Sequence, residues 1–172
     1  TRVVIALSGN VGFYSGARGL LKALNGKAEV ICGTSSVVYF MSRIGLSWDD
    51  AKIVSAHGKT CNLISLIREN RKVFAILGTN DGVRNLAEKL TFYGMGDVIL
   101  HVGENLSYDN EKILSKQAKE LVSYEGDPLS VICAYNLKAE PEPATHGLSD
   151  EEFIRGKAPM TKTEVRTVSL AK

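Results

Sequence analysis

The sequence has few residues that would staple or break a fold. Its 172 residues include three cysteines, four prolines and one tryptophan. Cys32, Cys61 and Cys133 are odd in number and far apart. That excludes a disulfide framework and a zinc cluster, and it suits a reducing cytoplasm. Excess charge is also missing. Twenty-one basic against nineteen acidic residues leave a net charge of +2, so no bulk electrostatics point to nucleic acid as a partner. No apolar run approaches the roughly 20 residues of a membrane span. No secretory leader pattern is visible, and the chain opens on what reads as a strand already in progress. What remains is a globular composition, 44% hydrophobic and 23% charged. It suffices for one substantial core, or for two small ones sharing a cleft.

The hydrophobic pattern alternates between two periods. Val3–Leu7 is a continuous apolar run, the mark of a strand buried on both faces. Ala17, Leu20, Leu21 and Leu24 recur at helical spacing, and Asn25-Gly26 ends that helix. Glu29–Cys32 reads as a second strand, Val37–Ile44 as a helix closed by Gly45, and Lys52–Ala56 as a third strand. Asn62–Glu69 is amphipathic. A similar passage follows Arg71-Lys72: strand Val73–Leu77, helix Val83–Leu90 and strand Asp97–Val102. A short strand at Lys112–Leu114, a helix over Ser115–Val122 and a strand at Leu129–Tyr135 complete it. Pro141 and Pro143 lie among acidic residues in a linker, and Thr161-Lys162-Thr163-Glu164 has the form of a capping box before a terminal helix. Strand-helix alternation predicts an α/β fold of parallel sheets with helices on their faces. Two such runs suggest two lobes, 1–70 and 71–136, with 137–172 as linker and tail.

In open α/β sheets, ligands sit where strand ends meet helix N-termini. Four loops occupy that position: Ser8–Gly16, Gly33–Ser36, His57–Thr60 and Gly78–Gly82. Glycines there let a ligand approach the backbone. The first loop has no Walker A pattern, and its G-x-x-G-x-x-x-G spacing is not the dinucleotide fingerprint. A plain strand-to-helix turn explains that spacing equally well.

The loops taken together carry a resemblance. SGNVGFYSGARGLL resembles the S-G-D-P-G-F-Y-G segment of the tetrapyrrole (corrin and porphyrin) methyltransferases. VICGTSSVVYFMSRIGLSWDDAKIVSAHGK is similar to a stretch of the branch that methylates C5 of precorrin or cobalt-precorrin intermediates. VGENLSYDNEKI and the ending DEEFIRGKAPMTKTEVRTVSLAK fit the same branch. The chain departs from the pattern at Asn10, Val11, Cys32 and Lys59, where the branch has aspartate, proline, proline and arginine. It also lacks the G-x-G-P-G segment that family members carry upstream, so the N-terminal lobe is expected to be incomplete.

The resemblance implies two α/β lobes around a cleft and methyl transfer from S-adenosylmethionine (SAM) to a corrinoid. It implies cofactor contacts at Gly9, Asn10, Gly12, Phe13, Ser35, Ser36, Leu77, Gly78, Thr79 and Gly103. It places substrate contacts at His57, Lys59, Asn80 and Asp81, where cations would meet acetate and propionate carboxylates. No catalytic side chain and no metal site are assigned, because such a displacement needs alignment more than acid–base help. A homodimer and a separate C15-methyltransferase/decarboxylase subunit are the implied partners, with no nucleic acid and no membrane. Plain structural roles compete at several positions: an N-cap at Ser35 or Ser36, core packing at Leu77, turn chemistry at Asn80-Asp81. Arg43, Arg84, His101 and His146 read as structural or surface groups, and Asp49-Asp50 as a solvated helix start. Competing functions are a sibling methyltransferase with another acceptor and a non-catalytic corrinoid-binding subunit.

Overall fold

A computed structural model describes residues 3–57, 61–79, 82–140 and 161–170. The chain divides into two units, Thr1–Glu140 and Pro141–Lys172. Among the described residues the second unit contains one helix, α5 (Thr163–Leu170). It begins one residue later than the capping box implies, and the Arg166 N–H donates to the Lys162 carbonyl at 3.0 Å.

The first unit is built on one five-stranded mixed sheet. Its strands are β1 (Lys52–Ser55), β2 (Lys72–Ile76), β3 (Ile99–Glu104), β4 (Lys112–Gln117) and β5 (Ser130–Tyr135). They lie in the order β1-β2-β5-β3-β4. The expected parallel sheet is reduced to one pair, β1 with β2, where Lys52 faces Val73. All other pairs are antiparallel. The link from β3 to β4 is too short for a parallel crossover, which takes a dozen residues or more. β5 then enters between β2 and β3. The helix expected over Ser115–Val122 is instead the end of β4 and a 3-10 turn, Ala118–Glu120. Pairing along all of β3 outweighs helical propensity there. β1 and β2 pair across the position where the sequence suggests a seam between lobes.

Helices cover both faces. α3 (Leu63–Glu69) and α4 (Gly82–Phe92) bury Ile67, Val83, Leu86 and Leu90 against Val73, Ala75, Leu100 and Ile132. On the other face α2 (Ser36–Arg43) sets Phe40 and Met41, both fully buried, on Phe74, Val131 and Cys133. Burial pushes the Cys133 thiol up to about 12, so it is an inert core group. α1 (Ala17–Leu24) precedes these and ends at Asn25 in the left-handed conformation that its Asn-Gly signal implies. Asn136 closes the sheet by donating its amide to the Ile67 carbonyl at 2.8 Å. Of the expected linker, residues 137–140 are described, and Pro141 and Pro143 lie outside the described residues.

Two expected strands do not form. Val3–Leu7 and Glu29–Cys32 lie outside every helix and strand, and no backbone hydrogen bond joins them to a described residue. Val4 is 93% exposed and Ile31 86%. A strand exists by pairing, and neither segment pairs with a described strand, although β1 and β4 stand at the two ends of the sheet.

Candidate functional site

The expected loops gather at the C-terminal end of β2, and they arrive from both faces of the sheet. Lys72, at the start of β2, donates to the carbonyl of Ser47, just beyond α2, at 2.8 Å. α2 therefore runs antiparallel to β2 and points its N-terminus at the end where β2 finishes.

On the α2 face, loop 8–13 meets loop 33–36. Gly9 has φ +75°, and a Cβ on Gly33 would stand 2.5 Å from the Gly9 carbonyl oxygen. Only glycine fits Gly33 without moving backbone. Asn10 joins the loops: its Nδ2 donates to the Gly33 carbonyl at 2.9 Å and approaches the Cys32 sulfur at 3.1 Å. Its Oδ1 accepts the Gly12 N–H at 2.8 Å. An aspartate lacks the two donated contacts, so the asparagine at the departure position has a structural reason. Phe13 is turned inward, its ring 6.1 Å from that of Phe74. Ser35 is the N-cap of α2, with Oγ accepting the Val38 N–H at 3.4 Å, and Ser36 is the first helical residue.

On the α3/α4 face, Leu77 is 5% exposed and packs in the core, while its N–H donates to the Ser130 carbonyl at 2.9 Å. The His57 ring lies against the Cα of Gly78 so closely that a Cβ there would overlap Nδ1. The structure thus brings together His57 and Gly78. Gly82 packs on Leu77 and Thr79, and its N–H donates to the Thr79 carbonyl at 2.9 Å. A cavity of about 250 Å³ opens here, lined among others by Ala56, Cys61, Leu77, Gly78, Thr79 and Asn85. Gly103 is placed differently. A Cβ on it would come within 2.6 Å of the Phe40 ring, so its bare backbone seats α2. Lys59, Asn80 and Asp81 lie outside the described residues. No group of three or more metal-ligating side chains occurs among the described residues, and no helix there is long and apolar enough to cross a membrane.

Sequence reasoning missed the polar supports. Asp50, read as part of a solvated helix start, pairs with buried Lys72 at 2.5 Å. Glu104 is 2% exposed. It accepts from the Tyr124 hydroxyl at 3.0 Å and from the Asp127 N–H at 3.1 Å. Burial raises the Tyr124 phenol above its usual range. Glu111 accepts from Tyr39 and from the Ser107 N–H and pairs with Arg43. His101 bonds Ser115 at 2.6 Å, and burial lowers its pKa. Apart from Ser107 and Glu111, which are four residues apart, these partners lie 14 to 72 residues apart, beyond any local pattern. A charge bordering an apolar run, as at Lys72 or Glu104, was an available signal.

Comparisons with known proteins agree with this fold. The family model for Tetrapyrrole (Corrin/Porphyrin) Methylases matches residues 1–122. A cobalt-precorrin-7 C(5)-methyltransferase of Salmonella typhimurium is 30% identical over 112 residues, covering 64% of this chain and 55% of that protein. A probable cobalt-precorrin-7 C(5)-methyltransferase of Methanocaldococcus jannaschii is 32% identical over 140 residues, covering 78% and 64%. The chain thus spans between half and two thirds of the length of these relatives. Among solved structures, a uroporphyrin-III C-methyltransferase of Thermus thermophilus complexed with S-adenosylhomocysteine superposes with a TM-score of 0.57 at 16% identity, over 74% of this chain and 63% of that one. A cobalt precorrin-4 methyltransferase gives 0.55 at 16%, over 74% and 61%. The fold, the glycine-lined loops and a match over most of the chain lead to one conclusion: the chain belongs to the tetrapyrrole (corrin/porphyrin) methylase family.

Proposed function

We propose that this chain takes part in transfer of a methyl group from SAM to C5 of a precorrin or cobalt-precorrin macrocycle in cobalamin biosynthesis. The observation that carries the reading is the 30% and 32% identity to proteins named for that reaction.

The residues present fit part of the cofactor. Leu77 and its apolar neighbours floor the cavity, with Thr79 and Asn85 at its walls, a lining suited to a heterocycle with polar edges. Its volume of about 250 Å³ falls below the roughly 300–1,000 Å³ of whole ligand sites. The rest of the cofactor is assigned to the bare backbone at Gly9, Gly12 and Gly33–Ser36. SAM supplies an already activated methyl group, so the chain's task is to bind and align; well-oriented partners remove about 7–11 kcal/mol of a barrier. His57, whose ring lies against Gly78, is assigned to orienting the acceptor, and Lys59, Asn80 and Asp81, which follow these residues in sequence, are assigned with it. The same reading makes the protein cytoplasmic and homodimeric, working beside a separate C15-methyltransferase/decarboxylase.

The test is a calorimetric titration of the purified chain with S-adenosylhomocysteine. One micromolar site per chain is expected. A folded chain that takes up none would remove the methyltransferase reading and favour a non-catalytic corrinoid-binding subunit.

A further inference from the structure

The turn between β3 and β4 holds two residues in the left-handed region, one of them a serine, which enters it less readily than asparagine. Asn105 has φ +48° and Ser107 φ +69°, two of the four non-glycine left-handed residues among those described. Such residues cost energy unless their surroundings fix them, and they concentrate at functional sites. Here the fixing is extensive. The Asn105 N–H donates to the Leu129 carbonyl at 3.0 Å, and its side-chain amide to Asp127 at 2.8 Å. The Ser107 N–H donates to Glu111 at 2.8 Å. Glu111 is itself held by the Tyr39 hydroxyl at 2.7 Å and by Arg43 at 3.0 Å, both on α2. The Tyr108 N–H closes the turn on the Asn105 carbonyl at 3.0 Å.

The result of this ordering is an apolar display. Leu106 faces the core beneath α2. Tyr108 is 60% exposed, and Leu129, bonded to the turn through its carbonyl, is 56% exposed. A lone exposed apolar side chain needs no explanation. Two of them, one on a left-handed turn tied to α2 and to the segment before β5 and the other on that segment, do. Their position supplies it. Ser130, next to Leu129, receives the Leu77 N–H, where the cavity begins. The display therefore adjoins the candidate site along one hydrogen-bonded path: Tyr108, Asn105, Leu129, Ser130, Leu77.

We propose that Tyr108 and Leu129 form a platform that receives the flat, apolar face of the macrocyclic methyl acceptor, with the strained turn holding the ring of Tyr108 in place. The occupant's identity rests on the methyl-transfer reading above; the existence of a platform rests on the turn. A planar ligand pressed on a phenol ring and a branched aliphatic chain removes apolar surface of both from water.

The experiment titrates the purified chain with cobyrinic acid, a stable cobalt corrin with free carboxylates, followed by its visible absorption, and separately with S-adenosylhomocysteine. Tyr108→Ala and Leu129→Ala should each weaken corrin binding about tenfold, the loss expected for one well-buried apolar contact. Tyr108→Phe should retain it, because the ring makes the contact. All three variants should bind S-adenosylhomocysteine as the unaltered chain does. Corrin affinity unchanged in both alanine variants overturns the platform. So does equal loss of both ligands, which marks a structural role, or an unaltered chain that binds no corrin. An unaltered chain that binds corrin and no S-adenosylhomocysteine, with the alanine losses still present, overturns the methyl-transfer reading and leaves the platform standing.

Discussion

Val3–Leu7 and Val73–Leu77 are the same object in sequence and opposite objects in structure. Each is a five-residue apolar run followed by a glycine loop and a helix. Val73, Phe74 and Ala75 are wholly buried, whereas Val3 is 77% and Val4 93% exposed. Composition does not separate them; neighbours do. β2 is hydrogen-bonded to β1 on one side and β5 on the other, with helices over both faces. Residues 3–7 have no such neighbour among those described. An apolar run states that a segment is fit for burial between strands. Whether burial occurs depends on edges that the segment does not encode.

The strongest way to break this comparison is to truncate one residue from each run. Phe74 lies between the rings of Phe13 and Phe40, at 6.1 and 6.3 Å. Phe74→Ala should cost about 3–5 kcal/mol, the usual loss for a fully buried aromatic. Ile5, 52% exposed, should cost no more than about 0.5 kcal/mol when replaced by alanine. Both appear as shifts of the urea midpoint at constant slope. If Ile5→Ala costs as much as a core truncation, segment 3–7 is buried in solution and the contrast collapses.

A smaller effect probes the place where the unpaired region is nevertheless ordered. Gly33→Ala puts a methyl group 2.5 Å from the Gly9 carbonyl oxygen, and displacing that backbone should cost about 1–3 kcal/mol. Asn10→Asp keeps the acceptor for Gly12 and loses the amide donor to Gly33, about 1 kcal/mol. Under the proposed function both variants also weaken S-adenosylhomocysteine binding, because they part the two loops. Thermal unfolding and calorimetry read the two quantities separately. Unchanged affinity with lowered stability would leave Asn10 a staple and take it out of the cofactor site.

These contrasts show which parts of the molecule were legible. Helix positions were readable because capping and periodicity are local: Ser35 caps α2 at one of the two expected serines, α3 starts one residue inside the expected Asn62–Glu69 with Asn62 as its cap, and Asn25 ends α1. The alternation of strands and helices gave an α/β fold. Sheet direction was not readable, since the insertion of β5 between β2 and β3 joins residues about sixty apart. At the site, the glycines signalled close approach without naming what approaches. At Gly33 it is another loop, at Gly78 the His57 ring, and at Gly103 a core phenylalanine. Leu129 carried no signal, and Tyr108 only its place in a stretch that fits the branch, because exposure follows from the turn's tethers and those are set by folding.

The smallest expected effect concerns one of those tethers, Glu111. The Ser107 N–H, then the Tyr39 hydroxyl, and less strongly the charge of Arg43, hold its carboxyl below the ordinary carboxylate range, against the opposing effect of burial. A depressed carboxyl adds stability that is present above the unfolded-state value and disappears as pH falls through the folded-state value. The unaltered chain should therefore lose melting temperature as pH drops below about 4.5, partly through this group. Glu111→Gln keeps an acceptor for Ser107 and removes the charge that titrates. It should melt slightly lower at neutral pH and show a shallower acid decline, so the two curves converge as pH falls through the depressed carboxyl value. Curves that stay parallel from neutral to acid pH would mean that the turn is set without the ionised carboxylate. The order at Tyr108 would then come from Asn105 and its bond to Asp127, and α2 would not share in positioning the turn.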